Sequence, residues 1–392
     1  MIARRGVATS LMVLFALSAA RAEVTTEQGS SILLFPKVMS DSRGLQTDGF
    51  PIETIIQIAN TSNSLVFAHC FYVTSTPEDP FSKPGVFNPP QWQEVDFDIM
   101  LTKQQPTHWI VGPGRRVEPN QQCGRMQPNC VNAGFDPGLI PPVTDPFIGH
   151  LVCLEVDSSG APLNGNRLIG QATLVTPASA VTGRGMIPLG DVSKYNAVGI
   201  QGLNTDTNSN NGDQTLCLGG GVRSGCPAGA EYEACPQTVI LNHFAENATE
   251  PAIEILGATA SNVQTELTLI PCSEDFENQA PASVTVQFKV TNEFEEQFST
   301  STTVTCWANL RLGDLGPIFD ASFLGTRFAQ TRMTPADLPG QDPPAPGFIG
   351  VSEEFHRDDS SGPGQVSRAA LNLHGEGERP GGDAIVVPEV TP

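Results

Sequence analysis

The chain has 392 residues, 39% of them hydrophobic and 16% charged, with 42 acidic against 21 basic side chains and a formal charge of -21. Such a surface repels phosphate backbones and anionic lipid, which excludes nucleic acid as a partner. The length suffices for two domains of ordinary size.

Residues 1–22 read as a secretory signal peptide. Arg4 and Arg5 precede an apolar run from Val7 to Ala20, and Ala20, Arg21 and Ala22 make the small-x-small pattern that signal peptidase cuts after, leaving Glu23 as the new N-terminus. No later run is long and apolar enough to span a bilayer. The exported part is therefore expected to be extracytoplasmic: periplasmic, on a cell surface or extracellular. All nine cysteines, Cys70, Cys123, Cys130, Cys153, Cys217, Cys226, Cys235, Cys272 and Cys306, follow the cleavage site. In an oxidising compartment they read as disulfides with one thiol left over. The local choices are Cys123 with Cys130 and two of Cys217, Cys226 and Cys235, with Cys70, inside an apolar strand, as the free thiol.

In the exported part, Ser31 to Met39 is an apolar run broken by Pro36, which predicts an edge strand or a bulge. Glu53 to Val73 reads as a β-hairpin turning at Asn60 to Ser64. Its second run, Leu65 to Val73, is apolar on both parities, as a strand covered on both faces would be. This hairpin is similar to strands of bacterial exported immunoglobulin-like domains, a resemblance that carries no functional residue. Val95 to Leu101 alternates as a half-buried strand, and His108 to Val111 is a shorter one. Residues 112–149 form a Gly/Pro/Asn excursion, too long for an ordinary connection and pinned by Cys123 and Cys130. Strands return at Leu151 to Asp157, Leu168 to Val175 and Tyr195 to Gln201. The Asn/Gly/Cys-rich region 204–237 reads as a linker.

Beyond it, Thr238 to Phe244 and Thr265 to Ile270 are strands, and Val284 to Val290 gives the cleanest alternation, with Thr302 to Ala308 as its partner. Gly325 to Gln330, Phe348 to Phe355, Ala369 to Leu373 and Ile385 to Val387 complete the set. Outside the signal peptide no window shows a 3.6-residue apolar period, so helices should be short and peripheral. The fold class is all-β, with antiparallel immunoglobulin-like β-sandwich domains in tandem at 23–203 and 238–392 and long irregular loops.

Several features recur in order: Asn60 and Cys70 against Asn292 and Cys306, LIG at 168–170 against FIG at 348–350, and SKYNAVGIQG at 193–202 against SRAALNLHGE at 367–376. Their offsets are 236, 180 and 174. They point to an internal duplication, with chance agreement between β-rich segments as the competing account.

For chemistry, Asp206, Asn208, Asn210 and Asp213 place hard oxygen donors at alternating positions beside Gly212, the donor set of a structural Ca²⁺. The loop departs from the EF-hand pattern at Asn211 and Cys217, and a turn-favouring linker is the competing reading. Glu353, Glu354, His356, Asp358 and Asp359 form a second cluster, either an acid/base or metal site or an exposed acidic loop. No nucleophile elbow, dinucleotide fingerprint or phosphate-cradling loop is present. Asn60-Thr61-Ser62 and Asn247-Ala248-Thr249 fit the N-glycosylation acceptor. The function expected is that of a secreted, non-enzymatic structural or surface-assembly protein, self-associating through strand edges or meeting a cell-surface partner. The alternative is a secreted hydrolase of polysaccharide with a carboxylate pair.

Overall fold

A computed structural model describes residues 26–45, 51–79, 90–115, 138–176, 191–203, 214–219, 230–248, 261–337, 345–358, 365–379 and 382–388. The first half supplies β1 (Ile32–Asp41), β2 (Ile52–Asn60), β3 (Val66–Thr74), β4 (Gln93–Leu101), β5 (Pro106–Ile110), β6 (Phe147–Val156), β7 (Leu168–Thr176), β8 (Asp191–Asn196) and β9 (Val198–Ile200). There follow β10 (Thr215–Leu218), β11 (Pro236–Phe244), β12 (Ser261–Pro271), β13 (Glu274–Asp275), β14 (Ser283–Asn292), β15 (Gln297–Thr305), β16 (Ala308–Arg311), β17 (Phe328–Pro335), β18 (Phe348–Asp358), β19 (Gln365–Asn372), β20 (His374–Glu378) and β21 (Asp383–Val386). Among the described residues helix is confined to three short segments, Leu312–Leu315, Pro317–Phe319 and Ala321–Leu324. The chain is nearly all β, and among the described residues every pairing between these strands is antiparallel except that of β13 with β21.

The two halves repeat one strand order. In the first, β4-β3-β6-β1 lie side by side and Ile32 to Leu34 of β1 pair with β9, while β2 lies between β5 and β7, with β8 beyond β7. Ser40 and Asp41 of β1 pair with β2 and so join these two sets. In the second, β15-β14-β17-β11-β20 form one sheet and β16-β12-β18-β19 another. Strand for strand, β1 corresponds to β11, β2 to β12, β3 to β14, β4 to β15, β5 to β16, β6 to β17, β7 to β18, β8 to β19 and β9 to β20. The 180 and 174 offsets agree with this correspondence, since they align the starts of β7 with β18 and the β8–β9 segment with β19–β20. The 236 offset does not: Cys70 lies in β3, whereas Cys306 directly follows β15, the counterpart of β4, and the asparagines also disagree, Asn60 ending β2 and Asn292 ending β14, the counterpart of β3.

Alternation explains how each half builds its core. Val66, Ala68, Cys70 and Tyr72 of β3, Leu151 and Cys153 of β6 and Leu33 and Phe35 of β1 share one cluster with Ile56 and Ile58 of β2, Trp109 of β5 and Leu174 of β7. In the second half Val284, Val286, Phe288 and Val290 of β14 are 0–1% exposed and pack with Val239, Leu267, Leu269 and Met333. A third cluster lies on the other side of β3, β6 and β1. There Ile32, Leu34, Phe71, Val73, Val152 and Leu154 meet Leu216, Leu218, Tyr232, Phe276, Ile349 and Ile385. The small sheet β10-β21-β13 supplies part of this cover. Phe71 and Phe276 stack across the layer, their ring centroids 4.2 Å apart.

Three sequence expectations change. The segments 52–60 and 66–74 are strands, and β3 is covered on both faces as expected, but they are not a hairpin: β2 pairs with β1, β5 and β7, and β3 with β4 and β6. The Asn60–Ser64 stretch crosses between the two sets, with the Asn60 amide donating to the carbonyls of Ser64 and Thr102. That amide is buried and committed, so the Asn60 glycosylation acceptor is closed in the folded chain. Within the region expected to be a linker, the described residues 214–219 and 230–237 contribute β10, the start of β11 and core side chains. Cys70 is bonded to Cys153 across β3 and β6, and Cys235 to Cys272 rather than to a sequence neighbour. Cys217 is disulfide-bonded too, and the free thiol among the described residues is Cys306. Cys123, Cys130 and Cys226 lie outside the described residues, as do residues 1–22, which the sequence reading takes as a signal peptide.

Cys306 is fully buried, and burial holds its thiol well above the ordinary cysteine range. Since the thiolate is the reactive form, alkylation of the native, unreduced protein is expected to leave Cys306 unmodified. Unfolding without reductant should expose it, while the Cys70–Cys153 and Cys235–Cys272 peptides stay linked on mass mapping. Modification of Cys306 before unfolding would contradict the packing described.

Candidate functional site

The hairpin β14–β15 carries an exposed face and an exposed edge. Nine cross-strand pairs run from Ser283 opposite Thr305 to Thr291 opposite Gln297, and hydroxyls meet across them at 3.0 Å between Ser283 and Thr305 and between Thr285 and Thr303. Asn292 fixes the turn. Its Oδ1 accepts from the backbone of Phe294 and Glu296, and its Nδ2 donates to the Leu324 carbonyl. β15 is the outermost strand of its sheet. Its sequence, QFSTSTTVT, has no charge, proline or glycine, and Gln297, Ser299, Ser301, Thr303 and Thr305 are exposed.

An edge strand offers a row of backbone donors and acceptors to any passing chain, and proteins ordinarily blunt it with charge, proline or shortness. Among the described residues the other edge strands are charged, begin with proline, are five residues or shorter, or are covered. β4, which holds the corresponding place in the first half, sets Glu94, Asp96 and Asp98 along one face, with His69 Nδ1 2.6 Å from Asp98. Burial raises the Glu94 carboxyl to about 7. β20 is five residues long with two glutamates, β16 is four residues with Arg311, and β5 begins with Pro106. β8 and β19 lie against each other, Asn372 donating to the Asn196 carbonyl at 2.6 Å and accepting from its N–H at 3.0 Å. β15 has none of these devices.

A groove of about 810 Å³ lies on the outer face of the same hairpin and β17. Its lining contains amide, hydroxyl, aromatic and cationic side chains and no carboxylate, so the carboxylate pair of a polysaccharide hydrolase is not in it.

The acidic segment at Glu353 proves to be a strand, and its role is internal. In β1 the pairing with β6 shifts between Phe35 and Val38, around Pro36. The bulge sits in an interior strand, and the Tyr195 hydroxyl satisfies it, accepting from the Lys37 N–H at 3.1 Å and donating to the Lys37 carbonyl at 2.5 Å. The Lys37 side chain, 2% exposed, points into the second half. Its Nζ lies 2.6 Å from Glu353, 3.0 Å from Glu266 and 3.2 Å from Asn309 Oδ1. Burial alone would lower the lysine, but the two carboxylates outweigh it and raise it above the usual range. Burial would likewise raise Glu266; Lys37 and the Asn309 amide hold it down at about 2. Ser193 of β8 donates to Glu353 at 2.6 Å. The signal for this cluster was a lysine directly after a proline inside an apolar run, which periodicity does not interpret.

Glu354 and His356 face each other at 3.7 Å on β18, and Asp359 lies outside the described residues. A second buried pair, His150 with Glu274 at 3.0 Å, sits in the layer between the halves. Asp206, Asn208, Asn210 and Asp213 lie outside the described residues. Among the described residues, no group of three or more His, Cys, Asp or Glu side chains could hold a metal.

No protein-family model matches the chain, and neither does any curated protein. One solved structure, titled "Cryo-EM Atomic Structure of Broad Bean Stain Virus (BBSV)", aligns with 96% of this chain and 100% of that one at 11% identity. The TM-score is 0.15, a value that establishes no shared fold.

Removing one partner of a buried ion pair costs about 3–5 kcal/mol because the other charge is stranded. Lys37→Met is therefore expected to lower the free energy of unfolding at neutral pH by a comparable amount, read from denaturant titration. A depressed carboxyl stabilises above its unfolded value near 4.5 and loses that contribution as the pH falls towards about 2. The gap between wild type and Lys37→Met should accordingly narrow across that window. Equal stability of the two proteins at neutral pH would contradict the role given to Lys37.

Proposed function

We propose that this protein is a non-enzymatic structural or surface-assembly protein of an extracytoplasmic compartment, and that it self-associates through the free edge of β15. The carrying observation is the contrast between corresponding edges of one chain: β4 carries three carboxylates, while β15 in the same topological place is uncharged along all nine residues, with every second one exposed. An uncharged edge suits a second copy, since two chains of charge -21 repel one another wherever their acidic surfaces meet. Two β15 strands, antiparallel about a two-fold axis, would join two five-stranded sheets into one.

The same reading takes 23–203 and 238–392 as immunoglobulin-like β-sandwich domains in tandem, arisen by duplication. The repeated strand order supports it, as does a core cluster built almost wholly from each half's own strands. The signal-peptide pattern, the disulfides, and the lack among the described residues of a helix long and apolar enough to cross a membrane support export without a helical anchor.

The test is sedimentation velocity over a concentration series of the mature protein, with Ser301→Lys as the variant. Ser301 is exposed at the middle of the edge, so a lysine there leaves the core intact. Wild type is expected to form dimers or larger species as concentration rises, and the variant to stay monomeric with an unchanged melting temperature. A wild type that remains monomeric up to its solubility limit, or a variant that associates as well as wild type, would contradict the reading.

A further inference from the structure

The outer face of the β14–β15–β17 sheet has a counterpart in the first half, and the two differ sharply. On β3 and β6 that face is apolar and covered by the chain's own small sheet. In the second half it is polar, and it forms the floor of the groove of about 810 Å³. Two rows cross this floor at matched register: Ser301, Gln287 and Thr334 in one, and Ser299, Lys289 and Arg332 in the other. The second row sets two cations directly opposite each other on neighbouring strands, an arrangement that destabilises a sheet. Arg332 is partly compensated by its ion pair with Glu376 on β20. Lys289 is exposed and has no ion pair among the described residues. In a chain with twice as many acidic as basic residues, two adjacent cations among hydroxyls and amides form a local exception to the surrounding charge.

We propose that this groove binds a carboxylate-bearing saccharide. A carboxylate between Lys289 and Arg332 relieves their repulsion and gains charge-assisted hydrogen bonds. The side chains of Gln287, Ser299, Ser301 and Thr334 offer both donors and acceptors to ring hydroxyls. The groove's size falls within the range of small-ligand sites. At physiological salt the screening length is about 8 Å, so the groove's own cations govern the field a ligand feels there, rather than the distant acidic surface.

The experiment is calorimetric titration of the mature protein at physiological salt with a tetramer of galacturonic acid, a neutral tetramer of glucose and a tetrapeptide of glutamate. The uronic tetramer is expected to bind about tenfold or more tighter than either of the others, the equivalent of about one good charged contact. Lys289→Gln, an exposed change on β14 that leaves the β15 edge intact, should weaken that binding about tenfold without moving the melting temperature. No binding of the uronic tetramer, equal binding of the neutral tetramer, equal or tighter binding of the glutamate peptide, or an unaffected Lys289→Gln variant would each overturn the proposal. Because that variant keeps the edge, loss of saccharide binding and loss of self-association are separate results.

Discussion

The β3–β6–β1 layer is apolar on both faces, and a sheet with two apolar faces needs two covers. The inner cover is its own opposing set of strands. The outer one comes from sequence far downstream, including the small sheet β10-β21-β13 and side chains from β12 and β18. The two halves are consequently joined through a continuous hydrophobic layer rather than by a tether. Lys37 follows from that closure. The bulge at Pro36 turns a lysine towards the second half, where it is cut off from water, and only the paired carboxylates of Glu266 and Glu353 make its charge tolerable.

The repeated strand order makes the chain its own comparison. In the first half the outer face is apolar and covered, and the outer edge, β4, is acidic. In the second half the same face is polar and open, and the same edge, β15, is bare. Both differences fall on surface that is closed in the first half, and neither disturbs the alternating core residues of β14. Among the described residues, the first half's face is buried internally, while the second half's edge and face stay open to outside partners.

The elements legible in the sequence were those whose pattern depends on one strand alone. Val284 to Val290 reads correctly because every second residue enters a core, and Leu65 to Val73 reads as doubly covered because both parities are apolar. Pairing was less accessible. Asn60 to Ser64 has the residues of a hairpin turn, yet the same residues serve equally well to cross between layers. The Cys70–Cys153 bond escaped for a similar reason: the two cysteines meet through strand register, which spacing along the chain does not encode. The repeat was visible at LIG and FIG, where β7 and β18 begin, and was misaligned at the asparagines, which both end strands but not corresponding ones. The bare edge was in plain view as QFSTSTTVT, but its meaning required knowing that β15 lies outermost.

The account rests on one strand being both exposed and available. Hydrogen exchange of the β15 backbone amides, followed by mass spectrometry at low and high protein concentration, addresses that directly. Slower exchange in peptides covering Gln297 to Thr305 at high concentration, with β4 and β20 unchanged, is the result the account requires. Concentration-independent exchange in β15, or protection arising at β4 instead, would contradict it.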